Sequence, residues 1–412
     1  MIIDIKMSWR NIWRNPRRTI LTISAIAFAS MLLIFMLSFQ FGSYDAMIDT
    51  AVKVHTGHLQ VQEKGYDKKK DMRLVVSDPA AVSKILKKDP GIDVFTFRAN
   101  TFSLISSEDR TYGVLVVGID PVREAKVTRL KKLVRRGSYL SKNDTNQAML
   151  GELLANNLKV DIGDELAVLG QGRDGSIAAT VVRIKGIFRS GQDEFDRSSV
   201  QIPLKYFQEV YAMNGAVHEV VIIVNSLDNV SMIKEMLQMN LQKLNTDHPL
   251  VALDWKELMP GLSQGIAMDL ISGFIMYLLL VIVVAFSILN TFLMAIFERT
   301  REFGVMMAIG TTPGRLTRML MIESTAMTFL GIVTGIILGC LITYYYQVNG
   351  INIAGASEIL RHYGISGRLY PRLSLFSAIL GPAVVFIITF LAALYPALKV
   401  RSLRPVEALT YI

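Results

Sequence analysis

A chain of 412 residues that is 51% hydrophobic and 19% charged is too apolar for a soluble protein and too charged for one lying wholly in a membrane, so a few spanning helices beside a large water-exposed part are expected. A single cysteine, Cys340, excludes a disulfide scaffold, a Cys-rich zinc site and a CxxC redox pair. The net charge of +9 does not mark a nucleic-acid binder: residues 42–269 hold 29 basic and 29 acidic residues, while residues 1–18 set Lys6, Arg10, Arg14, Arg17 and Arg18 against Asp4 alone, which suits a membrane surface.

In chain order, residues 1–18 read as a cytoplasmic amphipathic anchor, with Trp9 and Trp13 one helical turn apart and Arg14-Asn15-Pro16-Arg17-Arg18 at the headgroup level. Residues 19–44 carry no charge up to Tyr44 and form the first span; their apolar core is too long for a cleaved signal, and no small-x-small site follows. Residues 45–269 form an outer domain. Strands are expected at 58–63, 112–118, 165–169, 179–188 and 217–225, and helices at 79–88, 123–136, 152–158, 203–213 and 229–244. This alternation suggests an α/β or α+β domain, and Lys68-Lys69-Lys70 reads as a solvated loop.

Charge-free windows follow at 270–297, 324–357 and 373–398, each meeting the ~20-residue requirement for a span. The third is overlong and its tail is polar, so its helix is expected over 319–346, ending near Tyr346. A cytoplasmic loop at 298–318, a periplasmic loop at 347–372 and a cytoplasmic tail at 399–412 complete the chain. Twelve Lys/Arg lie in the N-terminal segment, the 298–318 loop and the tail, against three, Arg361, Arg368 and Arg372, in the 347–372 loop. That bias places both termini in the cytoplasm and residues 45–269 outside. The expected fold is an α-helical membrane protein with four transmembrane helices and a large extracytoplasmic α+β domain between helices 1 and 2.

Catalytic patterns are sparse. The sequence has no Gly-Lys dipeptide and therefore no Walker A loop, and it has neither HExxH nor GxSxG. His55 and His58 read as ordinary surface histidines, since a metal site needs three or four ligands. Asp193, Glu194 and Asp196 read as a solvated turn, and Cys340, among Gly335 and Gly339, as a small packing residue.

The richest stretch is 298–315. Phe303, Met306, Met307 and Gly310 fall on one side at helical spacing, away from Arg299, Arg301 and Glu302. Gly310 can supply a left-handed cap, and Pro313 stops the helix from continuing. A short helix along the membrane surface, able to pass force from a soluble partner to two spans, and an ordinary re-entry loop fit these residues equally.

Glu298-Arg299-x-x-Glu302-x-Gly304, then Ala308-x-Gly310-x-x-Pro313, then Glu323 resembles the coupling region of the four-helix ABC permeases of the lipoprotein-release, macrolide-exporter and cell-division type. The run Trp9-Arg10-Asn11-Ile12-Trp13-Arg14-Asn15-Pro16-Arg17-Arg18-Thr19 resembles that family's N-terminal anchor. Tyr395-Pro396-Ala397 with Arg404-Pro405-Val406-Glu407-Ala408-Leu409 resembles its closing motif. Val117-Gly118-Ile119-Asp120-Pro121, Leu150-Gly151-Glu152-Leu153-Leu154-Ala155 and Gly163-Asp164 look like the lipoprotein-release branch.

The resemblance implies a subunit of the cell inner membrane that is not itself an enzyme. It implies a homo- or heterodimer with a second permease and a separate ABC ATPase dimer that binds ATP and Mg, with no cofactor in this chain. Coupling would run through Glu298, Arg299, Arg301, Glu302, Gly304, Ala308, Gly310 and Pro313. The cargo would be a lipoprotein passed to a periplasmic carrier, its acyl chains lodged beside Met36, Phe39, Phe41, Ile266, Met268, Ile271 and Phe274, residues that equally suit lipid-facing or packing positions. Carrier-recruiting members have a protruding hairpin where this chain has only 170–176, which argues against direct recruitment. Export of a drug, peptide or lipid through a tripartite pump, and mechanosignalling to a cell-wall hydrolase, remain open alternatives.

Overall fold

The computed structural model describes residues 2–244, 248–352 and 368–401. The chain divides into two compact units, one of residues 45–265 and one made, among the described residues, of 2–44, 266–352 and 368–401. The closing motif at 404–409 and Arg361 lie outside the described residues.

The membrane unit is built from α1 (Ile2–Ile12), α2 (Pro16–Ala51), α3 (Pro260–Glu298), α4 (Thr300–Ala308), α5 (Pro313–Asn349) and α6 (Leu375–Arg401). Four of these, α2, α3, α5 and α6, are long and apolar enough to cross a membrane. Helices α2 and α3 outrun their charge-free windows at both ends and α5 and α6 at one, because a window marks the hydrocarbon core while a helix can continue into polar residues. The third span ends at Asn349, short of its overlong window and three residues past the expected Tyr346, and Gly350, at φ +70°, turns the chain out of it.

Ile12, Ile26, Leu33, Ile288, Phe292 and Val385 share one apolar cluster. Small residues set the spacing within it. A Cβ added at Gly335 would stand 2.6 Å from the Ala27 carbonyl oxygen, and one at Gly331 would stand 2.7 Å from Ile26 Cβ, so α5 meets α2 nearly backbone to backbone. Cys340 stands beside Gly339 in this helix and is half-buried. Toward the other end, Ser38 Oγ donates to Ser377 Oγ at 2.9 Å, and the Arg372 N–H donates to the Ser38 carbonyl at 2.7 Å, tying α2 to the start of α6.

The other unit is an α+β domain around one ten-stranded sheet: β1 (Leu59–Glu63), β2 (Ile92–Ser106), β3 (Thr111–Ile119), β4 (Val134–Gly137), β5 (Gln147–Gly151), β6 (Glu165–Gln171), β7 (Ile177–Phe188), β8 (Ser199–Pro203), β9 (Glu219–Val224) and β10 (Leu250–Asp254). The order is β10-β1-β9-β2-β3-β8-β5-β7-β4, with β6 pairing β2 and β7. Among the described strands only β3/β8 and β5/β7 are parallel. A π-helical turn, Val52–Thr56, leads from α2 into β1, and β1 pairs antiparallel with β10 from Leu59↔Asp254 to Glu63↔Leu250. The chain thus reaches and leaves the sheet on neighbouring strands. The larger core gathers Val116, Leu150, Leu166, Val200, Ile202 and Phe207.

Several readings of this domain need correction. Residues 123–136 are not one helix: a helix over Pro121–Val127, capped by Asp120 accepting from the Val122 and Arg123 N–H groups, gives way to a tight turn at Leu130–Leu133 and then to β4. The Lys/Arg-rich run has fair helix propensity, but pairing with β7 overrides it. Strands β2, β5, β8 and β10 were not expected; β2 hid because Arg98 and Asn100 occupy buried positions in it and break the apolar alternation. His58 is not a surface residue either but is buried, and its Nδ1 accepts from the Val224 N–H at 3.0 Å.

Candidate functional site

The residues singled out in 298–313 build a compact structure at one end of the membrane unit. The helix of α3 breaks at Arg299 (φ −105°, ψ 4°), and α4 begins at Thr300, whose hydroxyl donates to the Ile296 carbonyl at 2.9 Å. At the far end the Gly310 N–H donates to the Met307 carbonyl and the Thr311 N–H to that of Met306, with Gly310 at φ +106°. That pair of bonds is a Schellman cap, which places a residue in the left-handed region and so favours glycine. Pro313 opens the first turn of α5 instead of merely ending α4, since its missing N–H costs nothing there.

The apolar side of α4 is buried. Phe303 and Met307 pack with Ile296, Leu316 and Val400, with Met306 at the margin. Gly304 is buried too, whereas Gly310, expected on the same side, is exposed. The opposite face shows Arg301, Glu302, Val305, Ala308 and Ile309; Val305 is 45% and Ile309 81% exposed, four residues apart and therefore adjacent on the helix.

An ion network fixes this helix. Arg299, only 9% exposed, places Nη1 3.2 Å from Glu323 Oε2 on α5 and Nε 3.4 Å from Glu302 Oε2, with its guanidinium 5.5 Å from the centre of the Phe303 ring. Arg14, between α1 and α2, donates to Glu302 Oε1 at 2.5 Å, and Arg18 on α2 donates to Glu298 Oε2 at 3.0 Å. The Arg14 hydrogen bond holds the Glu302 carboxyl below the usual carboxylate range and raises Arg14 in turn. A cavity of about 40 Å³ lies among Arg14, Arg18, Arg299, Glu323, Ile12 and Met327. Ser8 Oγ donates to the Met319 carbonyl at 3.1 Å and the Thr19 hydroxyl donates to the Ile12 carbonyl at 2.5 Å, so α1 is docked as well. The roles of Arg14 and Arg18 as partners of this site went unread in the sequence, where they served as a membrane anchor; their charge, opposite to Glu298 and Glu302, was the signal.

The seven apolar residues expected to hold acyl chains are not gathered in one place. Phe39 stacks on Phe35, which meets Tyr346 of α5, and Phe41 meets Phe376 of α6. Met36 is exposed on α2, Met268, Ile271 and Phe274 are exposed on α3, and Ile266 is half-buried. Between α2 and α3 at this end lies a polar cluster that sequence reading missed. Tyr44 donates to Asp269 Oδ2 at 2.5 Å, Tyr277 donates to Gln40 Oε1 at 2.8 Å, and Gln40 lies over Gly273, where an added Cβ would come within 2.5 Å of its amide.

Asp193, Glu194 and Asp196 lie in a short helix, Asp193–Ser198, not a solvated loop; Asp196 is buried, accepts from the Ser190 and Gly191 N–H groups of the preceding turn, and its carboxyl is raised by that burial, so its role is structural. Among the described residues no three His, Cys, Asp or Glu side chains come together as a metal site.

Two family models match this chain: an FtsX-like permease C-terminal region over residues 274–405 and a MacB-like periplasmic core domain over residues 19–239. The chain is similar to the lipoprotein-releasing system transmembrane protein LolC of Xylella fastidiosa (strain 9a5c), with 25% identity over 315 residues, 74% of each chain. It is also similar to the uncharacterized ABC transporter permease YknZ of Bacillus subtilis (strain 168), with 25% identity over 285 residues, 68% of this chain and 66% of that one. The crystal structure of the extracellular domain of YknZ from Gram-positive bacteria aligns with 48% of this chain and all of that one, at 13% identity and a TM-score of 0.35.

Proposed function

The chain belongs to the ABC permease family that joins a MacB-like periplasmic core domain to an FtsX-like C-terminal region, and on that premise we propose that it is the membrane subunit of a dimeric transporter that releases lipoproteins under the drive of a separate ATPase. The observation that carries the proposal is the short helix α4, its apolar side sunk into the membrane unit, its Glu302 tied to Arg14 of the α1–α2 turn and to Arg299, which reaches Glu323 of α5, and its Val305–Ile309 face open. A soluble partner that pushes on that face moves several spans at once. Glu298, Arg299, Arg301, Glu302, Gly304, Ala308, Gly310 and Pro313 act together in this coupling: the charged residues hold or present the helix, the small ones let it pack and turn.

Both termini and α4 lie in the cytoplasm, where the Lys/Arg excess belongs, and the α+β domain lies in the periplasm. The ATPase partner brings ATP and Mg, since no Gly-Lys pair exists here to build a Walker A loop. A machine is required because each buried CH₂ contributes about 0.8 kcal/mol, so a single long acyl chain resists extraction by roughly 10 kcal/mol. The exposed Met268, Ile271 and Phe274 on α3 suit such chains.

Depletion of the protein tests the cargo: lipoproteins accumulate in the inner membrane, and unchanged sorting in a depleted strain rejects lipoprotein release. A second reading, export of a drug, peptide or lipid, is favoured by the MacB-like core domain and by the short turn between β6 and β7, where Gln171 pairs with Ile177. Under that reading depletion alters susceptibility to an exported compound and leaves lipoproteins in place.

A further inference from the structure

The α+β domain contains a polar pocket of about 600 Å³ that the transport reading does not use. Its lining includes four cations, Lys53, Lys126, Arg129 and Lys132, against two carboxylates, Asp49 and Asp93. Asp49 is shared, 2.5 Å from Lys53 and 2.6 Å from Arg129. Lys126 and Lys132 stand exposed, with no acidic partner among the described residues.

The most telling wall residue is His58, which is 4% exposed. Its Nδ1 accepts the Val224 N–H, so the neutral ring carries its proton on Nε2. That buried N–H has no hydrogen-bond partner among the described residues. Buried donors are nearly always satisfied, and here the orphan belongs to a residue that lines a pocket whose charged lining is predominantly cationic. A cation does not suit such a wall. An oxyanion does, since its several acceptor oxygens can take the imidazole N–H, the arginine fork and an ammonium together.

We infer that this pocket is a phosphate-binding site, taking either free phosphate or the phosphate of a lipid headgroup, with His58, Arg129, Lys53, Lys126 and Lys132 as its donors. Asp49 lies in the last turn of α2 and Lys53 in the π-helical turn that leads from it into β1, and the Arg129 N–H donates to the Lys53 carbonyl at 2.9 Å. A bound phosphate competes with Asp49 for Lys53 and Arg129, so occupancy alters the attachment of that segment to the sheet.

The test uses the full-length protein in phosphate-free maltoside detergent, titrated calorimetrically with inorganic phosphate and, separately, with dihexanoyl phosphatidylglycerol below its micelle concentration. Saturable binding of both assigns the site to the phosphate group itself; binding of the lipid alone assigns it to a headgroup. Either must weaken at least tenfold in the Lys126→Ala/Lys132→Ala variant, whose changes are exposed and leave the thermal midpoint unmoved. His58→Asn keeps an acceptor for the Val224 N–H, removes the Nε2 donor, and weakens binding likewise. Absence of saturable binding, or equal binding by the wild type and the double lysine variant, overturns the assignment. The readout is binding rather than transport, so it stands or falls apart from the cargo.

Discussion

Arg299 illustrates what a nearly buried charge demands of its neighbours. It touches Glu323 and Glu302, and its loss leaves Glu323 in a low-dielectric setting with no cation at contact distance. Breaking a buried pair from one side typically costs about 3 kcal/mol or more, whereas removing both partners is far cheaper. Arg299→Ala is therefore expected to lower the melting temperature in detergent sharply, and Arg299→Ala/Glu323→Gln to recover most of the loss; a double variant no better than the single one would show that the pair is not the source. Arg98 and Glu124 form a comparable pair inside the α+β domain, 2.6 Å apart and both fully buried.

Buried histidines make that domain sensitive to acid. Burial pulls the imidazoles of His58 and His218 down to about 4, and each ring accepts a backbone N–H on Nδ1, from Val224 and Asn100, which only the uncharged form can do. An unfolded histidine protonates near 6.5, so between there and about 4 these two rings leave the unfolded chain up to two protons ahead of the folded one, and His55, pulled down to about 3 by burial, adds a third. Stability is whole above that window and falls as pH drops through it, with a limiting slope of about 2.7 kcal/mol per pH unit for the two together. Denaturant midpoints measured from pH 7.5 to 5 should decline, and a flat profile would contradict the buried neutral assignment.

At the scale of the element, α4 has one side that packs and one that does not. Val305→Asp and Ile309→Asp change only the exposed face, so they should leave the melting temperature within a degree or two while abolishing most stimulation of the partner ATPase by the permease. Full stimulation by both variants would remove this face from the coupling surface. The sequence displayed much of this helix, because a 3.6-residue period and a Gly cap are local signals: Phe303, Met307 and Gly310 could be read directly. Its fastening could not, because the Arg14–Glu302 contact spans 288 residues and nothing local announces it. The same division holds in the sheet. Strands β6 and β7 declare themselves by alternation and β9 by its apolar run Val220–Val224, while β2 carries Arg98 and Asn100 inward and is intelligible only once Glu124, His218 and their neighbours are folded over it. The acyl-chain residues were chosen by hydrophobicity, which every span shares, so hydrophobicity could not reveal that Gln40, Tyr44, Asp269 and Tyr277 occupy the seam between α2 and α3.

For the whole molecule, the mechanism requires α4 and the α+β domain to face opposite compartments, and the single cysteine makes that directly measurable. Cys340 is half-buried in α5, and a small replacement such as Cys340→Ala yields a cysteine-free background at little cost. Lys68 and Arg318 are both exposed, one in the α+β domain and one in the second turn of α5, so each tolerates a cysteine. In intact spheroplasts a membrane-impermeant maleimide should label Lys68→Cys and spare Arg318→Cys, and permeabilisation should expose both. Labelling of Arg318→Cys alone in intact cells would place the ion network outside, where no nucleotide-driven partner could reach Val305 and Ile309. That result would remove the transport mechanism while leaving the fold, and the phosphate pocket beside His58, untouched.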